Sequence, residues 1–329
     1  MEFRTQVPVV KSKSTINIGD KFITLGSCFA NSMDQKLRRS KFETFNNPLG
    51  ILYDPRSIAR AINFALTGNR PDKQTYINTG SNYVNLLTHS DMDGHSQEDC
   101  AKQIDEQLNT LGLKLKEADW LILTLGTSWV YYQNSTGLQV ANCHKIPQKE
   151  FRKDMLGFDR TQLVYDNLIQ FLQEFNPELK IIITVSPVRH TKDTLALNNL
   201  SKSHLFLLSH YLDQTYTHIN YYPAYEILVD DLRDYRFYTS DLIHPTEQAI
   251  EYIWQHFSSS FFDEKTLNTL KELAQLQKAL QHKPFTPNSE KHQQFLKSTL
   301  QKLELLNVKL DLSSEIEQLK RQITKNSLL

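Results

Sequence analysis

The sequence predicts an α/β fold built on a parallel sheet. Short, almost wholly apolar stretches alternate with longer segments of helical periodicity; the apolar stretches are 23–25, 120–125, 180–185 and 219–222. Strands that lack polar alternation are usually buried on both faces, which is typical of a parallel sheet covered by helices. Beyond residue 263 the composition shifts to Leu, Lys, Gln and Glu. We therefore expect an α/β domain over 1–262 and a helical extension over 263–329, packed on that core.

The elements between these strands follow from local signals. A helix over 28–39 begins directly after the first strand and ends at two arginines, where cations are favourable. Pro55 suits the first turn of the next helix. Further helices are predicted at 55–66, 98–116, 160–175, 194–216 and 246–257. Residues 134–137, Asn-Ser-Thr-Gly, predict a hairpin turn, and the polar stretch 69–95 predicts excursions around the site.

The C-terminal extension predicts two helical stretches, because Pro284 and Pro287 interrupt the helical pattern. Leu303, Leu306 and Leu310 recur at helical spacing, but over too few heptads to predict a coiled coil. A packed appendage is favoured over an oligomerisation arm.

Composition excludes several classes of protein. Lys plus Arg equals Asp plus Glu, 37 each, which gives no reason to expect nucleic acid as a partner. No apolar stretch approaches the roughly 20 residues of a membrane span, and the N-terminus lacks the apolar core of a signal peptide. Three cysteines cannot form a disulfide framework, so we expect a cytoplasmic protein. No spacing matches a metal-ligand motif, and we expect neither a metal nor a cofactor.

Polar residues stand at the ends of three predicted strands. Ser27 follows the first strand, Thr127 follows the second, and Arg189 and His190 follow the third. In parallel sheets, ligands bind outside the carboxyl ends of the strands, so these residues are expected at one edge. Arg189 and His190 would there bind an anionic or polar substrate group, or pair with an acidic neighbour; both interpretations stay open.

Ser27 permits two interpretations. Serine is a favoured helix N-cap, and strand-to-helix junctions often carry one for that reason. As a nucleophile, it would gain from the free N–H groups and positive dipole end of the helix, which stabilise an oxyanion. Cys28 beside it is better explained as a small buried residue than as a nucleophile.

Asp241 and His244 lie three residues apart, just before a predicted helix. Both could cap that helix. Alternatively, His244 is the general base for Ser27, and Asp241 fixes its tautomer and stabilises the imidazolium. Ser27, His244 and Asp241 together make a nucleophilic triad the more specific interpretation.

Several stretches, in order along the chain, resemble the GSCFA family, which the resemblance connects to SGNH/GDSL-type hydrolases. They are 25–30 (Leu-Gly-Ser-Cys-Phe-Ala), 47–53 (Asn-Pro-Leu-Gly-Ile-Leu-Tyr), 124–131 (Thr-Leu-Gly-Thr-Ser-Trp-Val-Tyr), 141–145 (Ala-Asn-Cys-His-Lys), 186–190 (Ser-Pro-Val-Arg-His) and 230–238 through His244 and Pro245. Several ordered motifs are more specific than any one of them.

The resemblance implies a three-layer α/β/α, flavodoxin-like fold and ester chemistry by Ser27, His244 and Asp241. It implies an oxyanion hole from the backbone N–H groups of Ser27 and Gly50. Where such enzymes carry an oxyanion Asn, this chain has Ser128, so Thr127, Ser128, Trp129 or Asn47 would substitute. The substrate-binding candidates within the matching stretches are Asn47, Trp129, His144, Arg189 and His190.

The resulting hypothesis is a serine esterase that removes a small acyl group, such as acetyl, from a glycan or another hydroxylated small molecule. An acyltransferase would use the same acyl-enzyme and is not separable by sequence. A non-catalytic binding module that retains the pocket, and a scaffold recruited through the C-terminal helices, are the alternatives from other classes.

Overall fold

The structure is a computed structural model that describes residues 4–282 and 289–327. The strands are β1 (Lys21–Gly26), β2 (Glu43–Asn46), β3 (Tyr76–Asn78), β4 (Tyr83–Asn85), β5 (Trp120–Leu125), β6 (Trp129–Gln133), β7 (Gln139–Val140), β8 (Phe151–Met155), β9 (Lys180–Val185) and β10 (Ile219–Tyr222). The helices are α1 (Cys28–Arg39), α2 (Pro55–Thr67), α3 (Gln97–Glu117), α4 (Phe158–Phe175), α5 (Leu195–Thr215), the single turn α6 (Ala224–Glu226), α7 (Glu247–Phe261), α8 (Glu264–Gln281), α9 (Glu290–Leu306) and α10 (Ser313–Ser327).

The central sheet confirms the predicted α/β fold. Within the described residues it has five parallel strands in the order β10-β9-β5-β1-β2. Numbered along the chain, this is the 2-1-3-4-5 order of flavodoxin-like sheets. After β1 the chain forms β2 on one side of β1, and β5 then pairs with β1 on its other side. The switch point, where such folds bind ligands, therefore lies between β1 and β5.

Helices cover both faces of the sheet, and the side chains of β5 show how. Leu121, Leu123 and Leu125 pack with α2, α3, α4 and α5, whereas Trp120 and Ile122 pack with α1 and α7. All six residues of β5 are buried, so this strand has no polar face. The near-continuous apolar runs that predicted the sheet are thus explained by burial on both sides.

Strands with exposed residues are the ones that sequence patterns did not predict. β2 is an edge strand with no buried residue, and β8 has one buried residue among five. β3 and β4 form a separate antiparallel pair within the stretch 69–95. The predicted hairpin is confirmed, since β6 and β7 pair antiparallel across the turn at 134–137. Strands without an apolar run lack the signal on which the prediction depended.

The C-terminal region is helical, as predicted, and packs on the α/β core. Leu303, Leu306 and Leu310 are buried against α8 and α10 in a cluster that Ile18 of the core also contacts. Lys41 forms an ion pair with Glu315 across the same boundary. The structure has three long helices where two stretches were predicted, and the predicted break at Pro284 and Pro287 lies outside the described residues. The domain boundary near 263 stays a prediction.

Across residues 4–282 and 289–327, none of the helices combines the length and apolar character that crossing a bilayer requires.

Candidate active site

Ser27 lies at the junction of β1 and α1, on the β1 side of the switch point. Gly26 immediately before it has φ of +132°, and a Cβ there would lie 2.1 Å from the backbone oxygen of Thr124. Only glycine can therefore bring the chain this close to β5. Ser27 is 1% exposed and caps α1, with its Oγ accepting the N–H of Phe29 at 3.4 Å. The capping role predicted as an alternative is thus present, and it leaves the hydroxyl at a helix N-terminus.

Two neighbours hold this junction from either side. Asn47 Oδ1 accepts the N–H of Gly26 at 2.8 Å, and Asn47 Nδ2 donates to Asn31 Oδ1 at 2.8 Å. Gly126 follows β5, and a Cβ on it would lie 3.3 Å from Ser27 Cβ. Asn47 therefore positions the backbone beside Ser27, and Gly126 gives the serine side chain its room.

Asp241 and His244 form a hydrogen-bonded pair on the loop that precedes α7. Asp241 Oδ2 lies 2.7 Å from His244 Nδ1, while Oδ1 accepts the N–H groups of Ile243 and His244 and the hydroxyl of Thr239. These hydrogen bonds, led by the His244 N–H, hold the pKa of Asp241 well below its usual range. Asp241 is therefore ionised at neutral pH and favours the His244 tautomer with its proton on Nδ1. Thr246 provides the cap of α7, so the predicted helix-capping explanation for Asp241 and His244 is not needed.

The charge of Asp241 acts on Cys28, the residue after Ser27. Burial raises the pKa of the Cys28 thiol, and Asp241 adds a smaller increase through its negative charge. Asp241 therefore lies within electrostatic range of the first residue of α1. The same burial keeps Cys28 protonated at neutral pH, so it is a poor nucleophile. Among the hydrogen bonds of the described residues, none joins Ser27 Oγ to His244.

The predicted oxyanion donors are already engaged within the protein. The N–H of Ser27 donates to Thr124 at 3.0 Å and that of Gly50 to Asn47 at 2.8 Å. The hydroxyls of Thr127 and Ser128 both hydrogen-bond to Ser201. Trp129 differs, because its Nε1 is buried and has no hydrogen-bond partner among the described residues. Its indole N–H is therefore the unengaged donor of the predicted set.

The other predicted substrate-binding residues lie in two places. His190 packs edge-on to Tyr53 with ring centroids 5.4 Å apart. Burial lowers its pKa to about 4, with smaller contributions from cations that include Lys202 and from His244. Arg189 lines a cleft that Leu242, between Asp241 and His244, also lines. His144 instead donates through Nε2 to the carbonyl oxygens of Asn85 and Thr88, at 2.8 and 3.0 Å, which makes it a support of the loop near β4.

Sequence reasoning missed Lys202, which is 1% exposed. Its ammonium donates to the carbonyl oxygens of Gly126 and Ser186, both at 2.7 Å, and so joins the carboxyl ends of β5 and β9. Burial lowers the pKa of Lys202 to about 7. The signal was present in α5, whose buried face recurs every three or four residues through Asn198, Lys202 and Leu205. A lysine on that mostly apolar face indicates an amine that is buried in the protein rather than exposed to solvent.

Within the described residues, no group of three or more His, Cys, Asp or Glu side chains is arranged to hold a metal ion.

Comparison with protein families identifies the chain. The model of the GSCFA family matches residues 21–257, and that of the GSCFA domain protein C-terminal domain matches residues 265–325. The chain belongs to the GSCFA family. A search of curated proteins finds no match. Family membership thus confirms the resemblance stated above, and the proposed link to SGNH hydrolases stays a prediction.

Proposed function

We propose that this GSCFA protein is a serine esterase with Ser27 as nucleophile, His244 as general base and Asp241 as the partner that orients His244. The observation that carries the proposal is the 2.7 Å contact between Asp241 and His244, with Asp241 in electrostatic range of Cys28, the residue after the helix-capping Ser27. An ionised carboxylate that holds Nδ1 leaves Nε2 of the imidazole to accept a proton.

The chemistry proceeds in two steps. The Ser27 oxygen bonds to the ester carbonyl carbon while His244 takes the hydroxyl proton; the C–O bond to the alcohol then breaks, and His244 gives that proton to the leaving alcohol. Water then bonds to the acyl carbon while His244 takes its proton; the bond from that carbon to the Ser27 oxygen breaks, His244 returns the proton to Ser27, and the acid is released. We assign the oxyanion role to the N-terminus of α1 with the predicted donors Ser27, Gly50, Thr127 and Ser128, which would have to exchange their present partners.

Soluble ester substrates and a fluorophosphonate probe test the proposal. Wild type should hydrolyse p-nitrophenyl acetate and be labelled at Ser27, located by mass spectrometry. Ser27→Ala should lose labelling and at least about 10³-fold in kcat. Ser40→Ala is the matched control, because Ser40 caps the other end of α1. Equal rates in wild type and Ser27→Ala would exclude the esterase. Release of acetylated sugar instead of free acetate, with a sugar acceptor present, would indicate the acyltransferase.

A second candidate is a binding module that retains the pocket without turnover. The engaged N–H groups of Ser27 and Gly50, and the lack of a hydrogen bond between Ser27 and His244 among the described residues, favour it. A folded protein that resists the probe and turns over no ester in the panel would support this candidate over the esterase.

A further inference from the structure

A cleft of about 470 Å³ opens beside the Asp241–His244 loop and has no role in the chemistry above. Its apolar wall comes from Leu195, Val229, Tyr235, Tyr238 and Leu242. Three of these residues are exposed to an unusual degree for their type: Leu195 at 51%, Tyr235 at 74% and Leu242 at 56%. Large apolar side chains that surround a concave surface favour a ligand with an apolar or ring-shaped body.

The charges of the cleft leave one cation unpaired. Arg233 pairs with Asp230 at 3.0 Å, whereas Asp234 accepts the backbone N–H of Arg236 and forms no ion pair among the described residues. Arg189 has no carboxylate within ion-pair distance in the described part of the chain, and its buried Nε has no hydrogen-bond partner there. A guanidinium with a desolvated, unsatisfied N–H strongly favours a bidentate anion such as carboxylate or phosphate.

The surroundings of Arg189 carry charges of both signs, since Arg233 and Asp234 line the same cleft. Lys202, whose amine donates to two carbonyl oxygens and lies 5.9 Å from the Tyr225 ring centroid, is within electrostatic range of Arg189. Burial raises the pKa of Tyr238, and the charge of Arg189 opposes that rise, which places the guanidinium near the phenol on the cleft wall. An anion in the cleft would therefore meet Arg189, which has no acidic partner among the described residues, and Arg233, which is paired with Asp230.

The position of the cleft relative to His244 decides which half of an ester it receives. His244 gives its proton to the leaving alcohol, so the alcohol half lies on the His244 side of the carbonyl. Leu242 belongs to the same loop and forms the near wall of the cleft.

We propose that this cleft is the alcohol subsite, and that it selects esters whose alcohol half carries a carboxylate or phosphate, held by Arg189, on an apolar or ring-shaped body. This inference rests on the proposed esterase and names its substrate class.

The kinetic test compares 4-acetoxybenzoate and 4-acetoxyphenyl phosphate with the neutral methyl 4-acetoxybenzoate. The ratio of kcat/KM for anionic over neutral ester should fall at least tenfold in Arg189→Gln and be partly restored in Arg189→Lys. Arg236→Gln is the control, because Arg236 is an exposed arginine of the same segment that does not line the cleft. An unchanged ratio in Arg189→Gln, with Ser27-dependent hydrolysis intact, overturns the subsite and leaves the esterase standing. The two anionic esters separate carboxylate from phosphate.

A binding measurement keeps the inference testable if no ester is hydrolysed. The inert analogues 4-acetamidobenzoate and 4-acetamidophenyl phosphate are titrated into Ser27→Ala protein by calorimetry, with 4-acetamidobenzamide as the neutral reference. Tighter binding of either anion than of the neutral analogue, lost at least tenfold on adding Arg189→Gln, supports the subsite. Equal binding of all three analogues, or no binding of either anion at millimolar concentration, overturns it. Phenyl hemisuccinate carries its anion on the acyl half, and phenyl butyrate is its neutral counterpart. If the kcat/KM ratio of this pair exceeds the ratio for esters with the anion on the alcohol half, the assignment of the cleft to the alcohol is wrong.

Discussion

Ser27 and His244, the two ends of the proposed proton transfer, are held in different ways. Ser27 is buried at a junction that backbone hydrogen bonds and close glycine contacts hold against β5. The side chains of His244 and Asp241 are 48% and 46% exposed on a loop whose hydrogen bonds are mostly local. The proposed nucleophile is thus positioned by the sheet, whereas the proposed base is positioned by a few side-chain contacts.

The difference predicts where substitutions act. Changes at the Ser27 junction must disturb packing between β1 and β5, so they affect stability together with activity. Changes on the loop leave the core intact and affect the chemistry alone. A loop that closes by a small movement would also complete the hydrogen bond between Ser27 and His244, as catalytic hydrogen bonds often tighten only when substrate binds.

The largest effect on the loop side is expected from Asp241→Asn. The substitution keeps an oxygen for the local N–H groups but removes the charge that fixes the His244 tautomer. We expect kcat for p-nitrophenyl acetate to fall by roughly 10²–10⁴-fold, with little change in the urea midpoint because the side chain is exposed.

Asp263→Asn is the matched control for that experiment. Asp263 caps α8 by accepting the N–H of Thr266 at 2.7 Å, and hydrogen bonds lower its pKa as well, but it belongs to the C-terminal region. It should leave kcat unchanged. A similar loss of activity in both variants would mean that losing a carboxylate that accepts backbone N–H groups, rather than losing the Asp241–His244 pair, carries the effect.

Physical signals in the sequence account for much of the fold but only part of the site. Apolar runs in the sequence predict the strands that are buried on both faces, whereas the half-exposed β2 and β8 have no such run. Ser27 and Asp241–His244 were predictable because each is a local pattern at an element end. Contacts such as that of Lys202 with Gly126 join residues far apart in the chain, and no local pattern specifies them.

Lys202, which joins the ends of β5 and β9, should make the free energy of unfolding depend on pH. Its folded pKa of about 7 lies below the unfolded value near 10.5, so between these values the unfolded chain binds more protons. The free energy of unfolding should therefore gain up to about 1.4 kcal/mol per pH unit from this group as pH rises above 7. Lys202→Met should lack that gain in urea titrations between pH 7 and 8.5.

The slope difference between wild type and Lys202→Met reports Lys202 together with its coupling to Cys28, whose pKa the charge of Lys202 lowers. Lys149→Met serves as control, since Lys149 is exposed and away from the sheet edge. If Lys202→Met kept the full slope of wild type, the buried ammonium would not be its source.

The smallest effect is expected from Gly126→Ala, which tests how closely the two strand ends are fitted. The new Cβ would lie 3.0 Å from the Tyr53 carbonyl oxygen and 3.3 Å from Ser27 Cβ, so both must shift by a few tenths of an ångström. We expect a loss of about 1 kcal/mol in stability and roughly tenfold in kcat. Gly157→Ala, where a Cβ meets nothing within 4 Å, should leave kcat unchanged and should affect stability only through the N-cap of α4, which Gly157 occupies. Loss of stability with full kcat would show that Ser27 tolerates displacement, and that closure of the His244 loop rather than the sheet sets the reacting geometry.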